Sequence, residues 1–178
     1  GAAGSAQSII GAGGVNSLTG RNANNTWNIT GAHAGNLGVT GAGLYVTNFS
    51  NIQNLQGGNS IDIFNINAIA GSVFGNAGND QFVFNSNNNA GSATLIDGGA
   101  DNNILIGRNA ENTWTMLGAN NGTLSTTNGT NYVANFSAIQ QLEGGNAVDS
   151  LVAINQDNDW NITGVNRGNL GASGSTSF

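Results

Sequence analysis

At 178 residues the chain is long enough for one ordinary domain, but only 7% of it is charged, with three cationic and nine acidic side chains and a formal net charge of −6. Glycine and asparagine make up roughly a third of the residues, proline and cysteine are absent, and 38% of the chain is hydrophobic. So few cations exclude a nucleic-acid surface, no apolar run approaches the ~18 residues of a membrane span, and the hydrophobic share argues against a disordered polar tract.

Taken in order, the predicted elements are short β-type runs separated by tight turns. Gln81-Phe82-Val83-Phe84, Ala93-Thr94-Leu95-Ile96 and Asn103-Ile104-Leu105-Ile106 are such runs, each ended by Gly, Asn or Asp within a few residues. No stretch keeps the apolar spacing of an amphipathic helix. The lack of proline suits continuous strand ladders, where each backbone N–H has to donate.

The second half repeats the first. Gly20-Arg21-Asn22-Ala23-Asn24-Asn25-Thr26-Trp27 returns as Gly107-Arg108-Asn109-Ala110-Glu111-Asn112-Thr113-Trp114, 87 residues later. The offset holds without a gap through Tyr45/Tyr132, Phe49/Phe136, Leu55/Leu142 and Asp62/Asp149. A third, shorter copy starts at Trp160-Asn161-Ile162-Thr163-Gly164, 46 residues after Trp114, and an Asp or Asn stands 11 residues before each Trp. The copies run over about 15–101, 102–148 and 149–178, the last truncated, and the chain reads as one segment excerpted from a longer repeat protein. Halving the 46-residue spacing, and splitting the stretch from Asp62 to Asn103 at Asp80, gives units of about 18–23 residues. These are too short for helical repeats of ~33 residues or more. The predicted fold is all-β, a right-handed parallel β-helix (β-solenoid) with coils of that length. Its inward positions are Leu, Ile, Val and Phe, and its corners are Gly and Asn, which tolerate positive φ.

Three motifs carry a resemblance: Asn-Thr-Trp-x-x-x-Gly-Ala-x-x-Gly-x-Leu at Asn25 to Leu37, Asn-Phe-Ser-x-Ile-x-x-Leu-x-Gly-Gly-Asn at Asn48 to Asn59, and Gly-x-x-Gly-x-Asp-x-Phe-x-Phe at Gly75 to Phe84. Together they resemble the β-strand repeats of large filamentous-haemagglutinin-like bacterial exoproteins exported by two-partner secretion, including biofilm-matrix adhesins. The resemblance implies a secreted, cell-surface or matrix-associated shaft. Its expected partners are extracellular polysaccharide or other matrix components, with lateral self-association between shafts; nucleic acid and membrane insertion are not expected.

Candidate sites are few. Gly75-Asn76-Ala77-Gly78-Asn79-Asp80-Gln81-Phe82 approximates the nonapeptide of calcium-binding β-rolls, which makes Asp80 a weak calcium candidate and calcium the one cofactor to weigh. Such rolls enclose the ion with stacked tandem motifs. Here the motifs stand about 20 residues apart, so Asp62, Asp80 and Asp149 are read as corners that bond turn amides. Asp97 with Asp101, and Asp157 with Asp159, are further weak metal candidates that turn chemistry explains equally well. Trp27, Trp114 and Trp160 have the flat rings of a sugar-stacking platform, but their shared repeat phase points to packing. Arg21 and Arg108 recur with the repeat, and the single histidine, His33, gives way to Asn120, so neither looks catalytic. The expectation is a non-enzymatic stalk segment of an adhesin or matrix protein. The alternative is an exopolysaccharide-binding module, with a calcium-binding repeat protein as a lesser one.

Overall fold

A computed structural model describes residues 4–84, 90–165, 167–170 and 176–177, and among these there is no helix. The strands are β1 (Ile9–Ile10), β2 (Ser17–Thr19), β3 (Asn25–Gly31), β4 (Ala34–Val39), β5 (Leu44–Ser50), β6 (Asn54–Gln56), β7 (Ile63–Ile66), β8 (Ser72–Phe74), β9 (Gln81–Val83), β10 (Leu95–Asp97), β11 (Ile104–Ile106), β12 (Asn112–Gly118), β13 (Asn121–Thr126), β14 (Asn131–Ser137), β15 (Gln141–Glu143), β16 (Ser150–Val152), β17 (Trp160–Gly164), β18 (Arg167–Leu170) and β19 (Thr176–Ser177). They form an eleven-stranded sheet, β1-β5-β4-β3-β7-β9-β11-β15-β19-β18-β17, and an eight-stranded sheet, β16-β12-β13-β14-β10-β8-β6-β2.

Between β6 and β11 the chain alternates sheets at every strand, and each strand lies parallel to its predecessor in the same sheet. The short strands place one buried side chain between two partly exposed ones: Leu55, Val73, Phe82, Ile96 and Leu105 point inward in turn. Residues of both sheets join a single core, to which the apolar inward rows contribute. An aromatic column runs through it. Trp27 stacks on Phe64 with centroids 5.5 Å apart, and Phe64 on Phe82 at 5.2 Å, because β3, β7 and β9 are paired in register at those residues.

The expected interval of 18–23 residues fits two steps of this ladder, Asp62 to Asp80 at 18 and Asp80 to Asn103 at 23. Elsewhere it does not fit: Asn25 to Asp62 and Asn112 to Asp149 are 37 residues apart. The extra length is an antiparallel meander, β3-β4-β5 in the first copy and β12-β13-β14 in the second. The sheets are therefore mixed, and the 46-residue spacing from Trp114 to Trp160 is not two equal coils. The first turn of each meander is a two-residue loop. Its second residue, His33 or Asn120, takes φ of 54° or 57°, which asparagine tolerates better than most side chains. His33 is thus a hairpin residue whose Nδ1 lies 3.3 Å from Ala70 O.

The meanders change sides. The Trp27 copy lies in the eleven-stranded sheet, the Trp114 copy in the eight-stranded sheet, and the Trp160 copy, β17-β18-β19, back in the eleven-stranded sheet. An odd number of sheet-to-sheet crossings separates each copy from the next, seven from β3 to β12 and three from β12 to β17, with each meander counted as one visit.

Candidate functional site

The most organised polar feature is a chain of side chains along the strand entrances. The residue at or just before each strand start sends its side-chain oxygen to the backbone N–H of its counterpart in the preceding rung. Asp62 Oδ1 accepts from Asn25 N at 2.8 Å, Asp80 Oδ1 from Asp62 N at 2.7 Å, Asn103 Oδ1 from Asp80 N at 2.9 Å, and Gln140 Oε1 from Asn103 N at 2.8 Å. The same bond recurs between Asn16 and Gln53 and between Asn112 and Asp149. Asn25, Asp62, Asp80 and Asn103 are fully buried. Each bond gives an entrance amide a side-chain acceptor, and an unpaired buried amide would cost ~1–3 kcal/mol.

Within this ladder the two aspartates differ. Asp62 Oδ2 accepts from the Gly58 amide at 2.7 Å, and Asn25 Nδ2 lies 2.6 Å from Oδ1. Burial raises its carboxyl above the usual range, and these donors work against the rise. Asp80 Oδ2 is buried with no partner. Burial is the main reason that the Asp80 carboxyl is pushed up to about 7, with the neighbouring Asp62 and Asp101 charges adding to it.

A second cluster fastens each meander to the ladder. The Arg21 guanidinium covers the Tyr45 ring at 3.8 Å, and the Tyr45 hydroxyl donates to Asn25 Oδ1 at 2.8 Å while accepting from Arg21 N at 3.2 Å. The second copy reproduces it with Arg108 over Tyr132 at 3.9 Å and Tyr132 donating to Asn112 at 2.5 Å. Burial raises both tyrosines and lowers Arg108. The asparagine amide closes its own turn as well, lying 2.8 Å from Arg21 O and 2.7 Å from Ala23 O, with the same pattern at Asn112 and Asn158. The roles of Asn25, Tyr45 and Gln53 were not singled out from sequence. The available signal was their identity at the 87-residue offset, as Asn112, Tyr132 and Gln140.

The acidic candidates are dispersed. Asp80 belongs to the ladder; Asp101 is exposed and accepts from Gly78 N at 3.0 Å, while Asp97 accepts from Gly99 N at 3.1 Å in its own turn. Asp157 and Asp159 are exposed before β17. Among the described residues no three His, Cys, Asp or Glu side chains converge as ligands would. Trp27 and Trp114 are 0% and 4% exposed and stand in the core, so neither offers a ring face to a sugar, whereas Trp160 is 46% exposed. No protein-family model, curated protein or solved structure matches the chain.

Proposed function

We propose that the chain is a stretch of right-handed parallel β-helix that serves as a non-enzymatic stalk of a secreted bacterial adhesin or biofilm-matrix protein. The observation that carries this reading is the coincidence, rung by rung, of the aromatic column Trp27-Phe64-Phe82 with the polar ladder Asn25-Asp62-Asp80-Asn103-Gln140. Both run across the strands, so the distinctive side chains serve repetition along one direction. Secretion and matrix attachment rest on the repeat resemblance.

Deleting residues 62–102 tests the stalk directly. It removes 41 residues, the two plain steps of 18 and 23, and leaves Trp27 and Trp114 46 residues apart, as Trp114 and Trp160 already are. At ~4.8 Å per strand the folded variant is expected to be shorter by about 10 Å in its maximum dimension by small-angle scattering. Collapse to an unfolded chain would sink the modular-shaft reading. One observation favours the polysaccharide-binding alternative, the exposure of Trp160. Saturable binding of bacterial exopolysaccharide that disappears in Trp160→Ala would establish it over the passive stalk.

A further inference from the structure

The ladder contains two discordant rungs. Asn25, Asn103 and Gln140 are neutral carboxamides, but two adjacent rungs, Asp62 and Asp80, are acids joined by a hydrogen bond from Asp62 N to Asp80 Oδ1. Both are fully buried. Two buried carboxylates side by side cannot both ionise cheaply, and their surroundings decide which one does. Asp62 has the Gly58 amide on Oδ2 and the Asn25 amide on Oδ1. The equivalent turn before Asp80 contains Asn76 at φ 74°, and Asp80 Oδ2 receives no donor. The charged groups facing Asp80 are Asp62, from the turn before β7, and Asp101, from the turn before β11; both are acidic. A side-chain carbon on Gly75 would lie 2.3 Å from Asp80 Oδ2 and 2.5 Å from Gly98 O, so both oxygens border the space that the absent Gly75 side chain leaves open.

We propose that the Asp62–Asp80 pair carries a single negative charge, with a proton held on Asp80 Oδ2 toward the Gly98 carbonyl. The acid then mimics the carboxamides of the neighbouring rungs, and folding takes up a proton. The sign follows from the two states. Unfolded, Asp80 ionises near pH 4; folded, it keeps its proton until near neutrality, in accord with the value of about 7. Between those limits the folded state binds more protons, so stability falls as pH rises and levels off above about 7. The stack is a pH-responsive strut, tighter in a mildly acidic medium.

The test compares the native chain with Asp80→Asn, which fixes the neutral form. Calorimetric unfolding at pH 5.5, in buffers of different ionisation heat, is expected to release about one more proton from the native chain than from the variant. The native melting temperature is expected to fall by several degrees more than that of the variant between pH 5 and 8. Equal proton release, or parallel melting profiles, would overturn the proposal. Infrared spectroscopy of the native chain gives a readout independent of the variant's folding: a protonated-carboxyl band present at pH 6 and lost by pH 8.5 supports the proposal, and no such band at pH 6 overturns it.

Discussion

Trp114 and Trp160 occupy the same repeat position but differ in exposure, 4% against 46%, so replacing each by alanine separates packing from sequence context. Trp114 pairs in register with Leu151 of β16 and meets Phe136 edge to face at 6.3 Å. Removing a buried indole of this kind costs about 3–5 kcal/mol, transfer and cavity terms together. At Trp160 about half the transfer term is at stake and no closed cavity is left, so about 1–2 kcal/mol is expected. Chemical denaturation followed by circular dichroism would read both, and the slope of the transition would show whether each variant still unfolds as one unit. A repeat array can open from one end; a Trp160 variant that frays without shifting the main transition would therefore agree with the small value. Equal losses at the two positions would refute the burial argument and point to a role for the motif that exposure does not capture.

Tyr132→Phe removes the donor to Asn112 Oδ1 and the acceptor for Arg108 N while keeping the ring under the guanidinium. The expected loss is about 1–3 kcal/mol, and Tyr45→Phe, with a ring that is less deeply buried, should lose less; the reverse order in thermal melts would contradict the clip described for both meanders. Saturating chelator should leave the melting temperature unchanged, because among the described residues no three His, Cys, Asp or Glu side chains, Asp97, Asp101, Asp157 and Asp159 included, converge to enclose an ion; a fall of tens of degrees would show that an ion joins them.

Much of the architecture could be read from the chain itself. The 87-residue offset, the short alternating runs and the recurring Asp and Asn lead to parallel rows with Leu, Ile, Val and Phe inside, and the shared phase of the tryptophans leads to packing for Trp27 and Trp114. The antiparallel meanders were not legible, for a specific reason. Gly31-Ala32-His33 and Gly118-Ala119-Asn120 supply the positive-φ residue that a hairpin needs, and a corner between sheets needs the same residue types. Local turn chemistry does not say whether the next strand doubles back in its own sheet or crosses to the other. The 46-residue spacing deepened the ambiguity, since its half equals the true 23-residue step from Asp80 to Asn103. The ladder was half visible. Aspartates bonding amides were expected, but the principal acceptors reach across to the adjacent rung, and Gln53 and Gln140 serve the same purpose through a longer side chain.

The alternation of the meanders between sheets places a parity rule on how such a sequence can grow by duplication. Each meander puts three strands into one sheet while the chain puts a single strand into the other. Successive units correct that imbalance only when an odd number of crossings separates them, so that the next meander lands opposite. Gain or loss of a whole circuit, such as the 18- or 23-residue steps bounded by Asp62, Asp80 and Asn103, preserves the parity. Gain or loss of half a circuit would pile meanders onto one side and leave inward apolar rows without an opposing wall. Lineages of this repeat are therefore free to vary in length by complete circuits, and recombination between units of unequal length stays compatible with folding as long as its breakpoints share a sheet.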